Sequence, residues 1–303
     1  MAVVFGNTLG GQGTGLSKME RWWLSQGFQK IYKEFRTVKL EDKLQKQITD
    51  VREIQKVFKL KGYQFGNWVT NEDRFNYLAA TGICLFDLNR VLKFKDNNLG
   101  LDKNLGIAFG ARGRKGALAH YEPSTNIINI TRYKDADRFI KPLSKEVRFV
   151  NSGGVGAFAH EYGHLLDYFF GSRVEVNSRY YSLSNGSSTN RTRIPYDKKK
   201  YPMRTLVEDI LEKSYWKNPK TKEESNFYKR IRKFSENDYF VERTEIIARL
   251  FEQYIGYKLK QLKIQNKFLT QTKYAANIYM SEQELKQIVP LFDKLLTQMR
   301  KQF

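Results

Sequence analysis

The chain has 303 residues, 41% hydrophobic and 28% charged, which is enough to bury a core and too apolar for a disordered chain. Its 53 Lys and Arg against 32 Asp and Glu leave a net charge of +21; this favours polyanionic partners but names none, because the excess is spread along the sequence. The single cysteine, Cys84, excludes an intramolecular disulfide and a cysteine-built zinc site. No apolar run is long enough for a membrane span.

In chain order, residues 1–16 are glycine-rich, read as an arm, and carry no secretory signal. "GGQGTGLS" lacks the lysine of a phosphate loop, since Leu16 precedes Ser17. Residues 17–60 space their apolar side chains three and four apart and predict helix, with Trp22 and Trp23 as packing anchors. Asn71 suggests a cap on the next helix, "EDRFNYLAATGICLFDLNRVL". "LGIAFGA", "ALAHYE" and "NIINIT" read as three short strands of an antiparallel unit, separated by the turn-forming "RGRKG" and "PSTN". Residues 133–152 read as loop, and "SGG" leads into a helix from about Val155, with Gly171 placed as its C-cap. Residues 172–203 are polar and read as a long loop. Helices resume from 204, the strongest being "NDYFVERTEIIARLFEQYIGYKL" (237–259), and the last forty residues read as helical and basic.

Two of the three histidines lie in "AFAHEYGHLLDYFFG". His160 and His164 stand four residues apart on the predicted helix, so both imidazoles can reach one ion, and Glu161 can act as general base toward a water the metal activates. The competing reading is a helix with two hydrogen-bonded histidines. Against it stand the scarcity of histidine, the apolar setting, in which an unpaired imidazole is unfavourable, and Gly163, which leaves the helix surface open beside His164. Zinc needs a third protein ligand. No histidine follows His164, so the candidates are a carboxylate or the distant His120. Asp167 suits a partner of an imidazole N–H better than a ligand. Downstream, "VERTEIIARLFEQY" offers Glu245, with Glu242 and Glu252 on roughly the same stripe and the small Ala248 permitting close helix approach. Spacing alone leaves Glu245 open between ligand and solvated face.

The stretches "GYQFGNWV", "LGIAFGARGRKGALAHYEP", "NIINITR", "GAFAHEYGHLLDYFF" and "EIIARLFEQY", in that order, resemble the zincin-like metallopeptidase domain of the large polyvalent proteins of phages and mobile elements. The resemblance spans about residues 62–256 and leaves the N-terminal sixty and the C-terminal forty-odd outside it. It implies a gluzincin-type site: His160, His164 and Glu245 hold Zn2+, and Glu161 is the catalytic base. "YKDADRFIKPLSKEVRFVNS" is extra to the pattern, and Tyr162 stands where the family commonly has tryptophan.

The expectation is an α+β fold, zincin-like, with a small antiparallel or mixed sheet packed on the HExxH helix and helical additions at both ends. The segments are 1–61, 62–256 and 257–303. The function is a zinc metallopeptidase acting on a protein or peptide substrate, in the cytoplasm of a bacterial host or packaged in the virion. The alternative is a basic virion- or DNA-associated protein whose zinc site is structural or vestigial. Residues 256–280 favour it, with five lysines, no acid and interleaved Tyr257, Phe268 and Tyr274, a pattern that suits nucleic acid. His120 is read either as a donor to a developing oxyanion or as a strand histidine.

Overall fold

The computed structural model describes residues 53–66, 71–112, 119–130, 156–175, 181–184, 186–187, 197–234, 238–271 and 273–303. The glycine-rich arm, Trp22 and Trp23, most of the 17–60 helical stretch, "RGRKG" from Gly113 onward, and the 133–152 segment with "SGG" lie outside them. The chain forms two compact units. One holds Met1–Phe158 and Leu259–Gln271, the other Ala159–Lys258 and Thr272–Phe303.

In the first unit, helix α1 (Ile54–Val57) precedes strand β1 (Gly62–Phe65), helix α2 (Asn71–Leu92), and strands β2 (Gly106–Phe109), β3 (Ala119–Glu122) and β4 (Ile127–Ile130). The sheet order is β1-β2-β4-β3. Only β3 and β4 pair antiparallel; β1 with β2 and β2 with β4 are parallel. The antiparallel expectation is thereby corrected to a mixed sheet. The fourth strand, "GYQF", escaped the sequence reading because its partner lies beyond the α2 crossover that a parallel connection requires. Strands β2 and β4 are buried at all four positions, as central strands covered on both faces must be, whereas the edge strands β1 and β3 are not. "PSTN" is the turn expected: Asn126 adopts φ +54° and accepts the Tyr121 hydroxyl at 2.6 Å.

Helix α2 lays Tyr77 on Phe109 of the sheet, ring centroids 4.7 Å apart. Its end is closed by Asn89, whose Oδ1 accepts the Phe94 N–H at 2.8 Å. Asp87, fully buried in α2, accepts from Asn266 at 2.9 Å, and Asn266 in turn accepts the N–H groups of Phe268 and Leu269. That buried bridge ties the 259–271 segment to this unit. Phe268, expected as an exposed base-stacking side chain, is instead fully buried and packs on Phe158.

The second unit begins one residue into helix α3 (Phe158–Phe169), which bears the HEYGH motif and runs on into a π-helical turn (Phe170–Glu175). Gly171 is therefore not a C-cap. It lies inside this turn, where the backbone of Ser182 and Leu183 comes within 2.8 Å of any Cβ placed there, so only glycine fits. Part of the expected 172–203 loop lies outside the described residues; the rest holds a small pairing of β5 (Tyr181–Ser182) with β6 (Gly186–Ser187). Helix α4 (Pro202–Tyr215) starts on Pro202, and Glu175 caps it by accepting the N–H groups of Met203 and Arg204 at 2.5 and 2.8 Å.

The hairpin of β7 (Trp216–Asn218) and β8 (Glu223–Glu224) leads to helix α5 (Asn226–Phe234). A 3-10 turn (Tyr239–Val241) then precedes α6 (Arg243–Gln261), the strongest helix of the sequence reading. Helices α7 (Glu282–Lys286) and α8 (Val289–Arg300) bear out the helical C-terminus from Glu282 onward, whereas the described residues between 264 and 281 form turns and irregular backbone; α7 opens with a complete Ser281–Glu284 capping box. Phe292, Leu295 and Leu296 of α8 join Leu166, Val207, Ile247 and Phe251 around one apolar core. The architecture is α+β, and no helix among the described residues is long and apolar enough to cross a membrane.

Candidate metal centre

Helix α3 presents His160, Glu161 and His164, and α6 presents Glu245 in its first turn. What brings the two helices together is a contact between small residues. A Cβ on Gly163 would lie 3.0 Å from Phe251 Cδ1 and 3.2 Å from the Ala248 Cα. The expectation that Gly163 leaves an open surface is corrected, since α6 fills it. Ala248 serves the close approach read from the sequence.

Across this contact, His164 Nε2 stands 3.2 Å from Glu245 Oε1 and His160 Nε2 3.4 Å from Glu245 Oε2. The two rings meet edge to face at 4.9 Å. One ligand atom from each of the three residues lies within 4.8 Å of the others, close enough to hold a metal ion. The site is sheltered without being sealed, the side chains of His160, His164 and Glu245 keeping 15%, 11% and 10% of their exposure. Burial alone pushes the Glu245 carboxyl up, but the hydrogen bonds and charge of the two imidazoles outweigh it and hold it far below the carboxylate range. Burial likewise pushes His164 down, and its hydrogen bond to Glu245 with the charges of Glu245, Glu161 and Asp167 reverse this to a net rise.

Two residues unassigned in the sequence complete the surroundings. Arg249, one turn after Glu245 and 3% exposed, donates to Glu245 Oε2 at 3.1 Å and to the Phe240 carbonyl at 2.9 Å. Its guanidinium lies over the rings of Phe240 and Tyr239, at 4.8 and 5.7 Å. The Tyr239 hydroxyl is held above its ordinary range by burial, by the charge of Glu245 and by its hydrogen bond to that carboxylate. The i, i+4 spacing of Glu245 and Arg249 was the signal that could have revealed the pair.

Residues 231–303 match the family model described as large polyvalent protein-associated domain 1. No curated protein and no solved structure matches the chain. The match links the chain to large polyvalent proteins, as the sequence resemblance implied, but the two overlap only over residues 231–256. It covers the C-terminal residues that the resemblance left out, takes in Glu245 and Arg249, and excludes His160 and His164.

The other candidates lie apart from the ligand group. Asp167 accepts the Ser184 N–H at 2.8 Å and the Ser184 hydroxyl, so it anchors the 183–184 turn in place of an imidazole. Glu252 is buried and accepts the Tyr279 hydroxyl at 2.8 Å. Glu242 is exposed at the start of α6, where its carbonyl accepts the Ile246 N–H. His120, in the first unit, has Nε2 3.6 Å from Glu122 Oε1 and a buried Nδ1 without a hydrogen-bond partner. Tyr162 is fully buried.

Proposed function

We propose that the chain is a zinc metallopeptidase-like protein of a phage or mobile-element large polyvalent protein. His160, His164 and Glu245 are its metal ligands and Glu161 its general base. The observation that carries this reading is the convergence of both Nε2 atoms on one carboxylate, at 3.2 and 3.4 Å. Two donors bound tetrahedrally to zinc stand roughly 3.3 Å apart, so the separations are compatible with a ligand set. The donors are nitrogen and oxygen, three in number, which suits a catalytic zinc with a position left open.

Zinc bound there would supply a Lewis acid and lower the pKa of a water to about 7. Glu161, directly after His160 and 6% exposed, takes a proton from the attacking water and delivers it to the leaving amine. Arg249 fixes the Glu245 carboxylate against the imidazoles. The match at 231–303 supports the polyvalent-protein context, and with it the host cytoplasm or the virion as the place of action.

A second reading, a basic virion- or DNA-associated protein with a structural or vestigial zinc site, draws on the +21 charge and on Lys260, Lys263, Lys267 and Lys273, all exposed. Two of the three aromatics expected beside them do not serve it, and Tyr257 is half-buried. Phe268 is buried, and Tyr274 packs against Gly256 and Tyr279.

Metal analysis of the purified protein decides between metal and no metal. We expect about one zinc per chain, lost in both His160→Ala and Glu245→Ala. Glu161→Gln keeps the zinc and loses peptide hydrolysis. A protein that takes up no zinc when supplied with it defeats the proposal, and hydrolysis persisting in Glu161→Gln defeats the mechanism.

A further inference from the structure

The second unit carries a groove of about 580 Å³ that no part of the metal chemistry uses. It is bounded by the end of α4, the β7–β8 hairpin, the start of α5 and the α7 region. Its volume falls within the roughly 300–1,000 Å³ of ligand pockets. Its walls combine three kinds of group. Trp216 offers an aromatic surface, half-buried and steadied from behind by Tyr215 and Tyr228, with centroids at 6.4 and 6.3 Å. Asn226, Gln283 and Gln287 bring exposed side-chain amides that make no hydrogen bond to another described residue. Lys213 and Lys217 bring positive charge.

The charge balance in the groove favours an anion. The one acidic lining residue, Glu284, is neutralised by Arg230, whose Nη1 and Nη2 reach its two oxygens at 3.1 and 2.7 Å. That fork is filled further by the carbonyls of Ala276 and Tyr279, so Arg230 shapes the wall and is not available to a ligand. The Lys213 side chain is exposed and makes no ion pair or hydrogen bond among the described residues. Lys217 is bound only to the exposed Glu223, at 2.7 Å, and an exposed pair of this kind exchanges readily for another anion.

We propose that this groove binds a segment of single-stranded nucleic acid. A base lies on Trp216, the amides of Asn226, Gln283 and Gln287 meet its edge, and Lys213 and Lys217 hold the flanking phosphates. A ring surface beside unpartnered amides suits a flat, hydrogen-bonding base. An acidic peptide would be met best by a free guanidinium fork, and the fork here is taken. A duplex is disfavoured because its base faces are covered. The site is independent of the zinc reading.

The test is fluorescence anisotropy of the full chain with a short labelled oligothymidylate, between about 50 and 200 mM salt. We expect binding that weakens with salt. Trp216→Ala should lower affinity roughly ten-fold, while Trp216→Phe, which can still stack, retains most of it. The double variant Lys213→Glu, Lys217→Glu should bind more weakly with a shallower salt slope. Circular dichroism confirms that each variant is folded, and the phenylalanine and lysine variants keep the test readable if the alanine variant is not. The proposal falls if the oligonucleotide does not bind. It falls if all groove variants bind like the parent while reversing Lys260, Lys263 and Lys267 abolishes binding. It also falls if polyglutamate binds the parent as tightly as the oligonucleotide does and Trp216→Ala leaves both affinities unchanged, since the groove would then recognise acidic chain and not base.

Discussion

Each compact unit holds one arrangement of histidine, glutamate and arginine, and the two differ in what they can do. In the second unit, two imidazoles one helical turn apart converge on Glu245, and Arg249 donates to the same oxygen that faces His160. In the first, His120 lies 3.6 Å from Glu122, whose other oxygen is taken by Arg112 at 2.5 Å and by Thr125 at 2.9 Å. Arg112 is itself pinned to Gln64 and to the Asn129 side chain. The same residue types therefore make a group close enough to hold a metal ion in one place and a sheet-bracing network in the other. The difference is the second imidazole, which the helical period supplies and a strand histidine lacks.

The arginines separate the two arrangements most strongly. Arg249→Met removes a buried partner of the carboxylate proposed as a ligand, and zinc affinity should fall about 10–100-fold, measured by chelator competition. Arg112→Met leaves Glu122 with 28% of its side chain exposed, so water can replace the lost partner. Its expected cost is within about 1 kcal/mol, with zinc affinity unchanged. Equal effects of the two on zinc would mean that Arg249 does not orient the ligand.

Acidity should sharpen the contrast by a smaller step. Because His164 is raised, protons compete for it above the ordinary imidazole value of about 6.5, and zinc affinity should begin to fall with pH from above that point. For the metal-free protein the signs oppose. The contribution of His164 is full below the ordinary imidazole value and is lost as pH rises through its folded value. The contribution of Glu245, whose pKa is depressed, is full above the ordinary carboxylate range and is lost as pH falls through its folded value. Thermal unfolding of the metal-free chain should therefore show the pair's largest stabilisation between about pH 4.5 and 6.5, and Glu245→Gln should flatten that maximum. A maximum that survives the substitution assigns it to other groups.

The smallest effect is expected at His120. Its Nδ1 is buried without a partner, an unfavourable state that an apolar side chain avoids. His120→Leu should change stability by less than about 1 kcal/mol in chemical denaturation and leave zinc content unaltered. A loss of zinc would make His120 part of the centre.

Much of the candidate site was legible because its logic is local. The spacing of His160 and His164 is a property of one helix, and the apolar residues around them reveal that helix without any partner. The second unit's helices were read for the same reason. The sheet was read only in part. "LGIAFGA", "ALAHYE" and "NIINIT" look like strands by composition, but whether neighbours run parallel or antiparallel depends on a crossover helix and on "GYQF", both distant in sequence. Gly171 was misread because a helix end and a backbone crossing both call for glycine. Only the position of Ser182 and Leu183 tells them apart.

By itself, the sequence determined that two imidazoles and a glutamate share one helical stretch, because i, i+4 geometry is set by the backbone period alone. It also determined a basic chain with a single thiol, since composition is independent of fold. The tertiary structure decided which distant carboxylate meets the imidazoles. Spacing alone does not separate Glu245 from Glu242 and Glu252, and only the resemblance singled out Glu245. The contact of Gly163 with Ala248 and Phe251 brings Glu245 to His160 and His164, while Glu252 goes to Tyr279 and Glu242 to solvent. Helix crossing depends on the shapes of both surfaces at once, and neither helix carries that information alone.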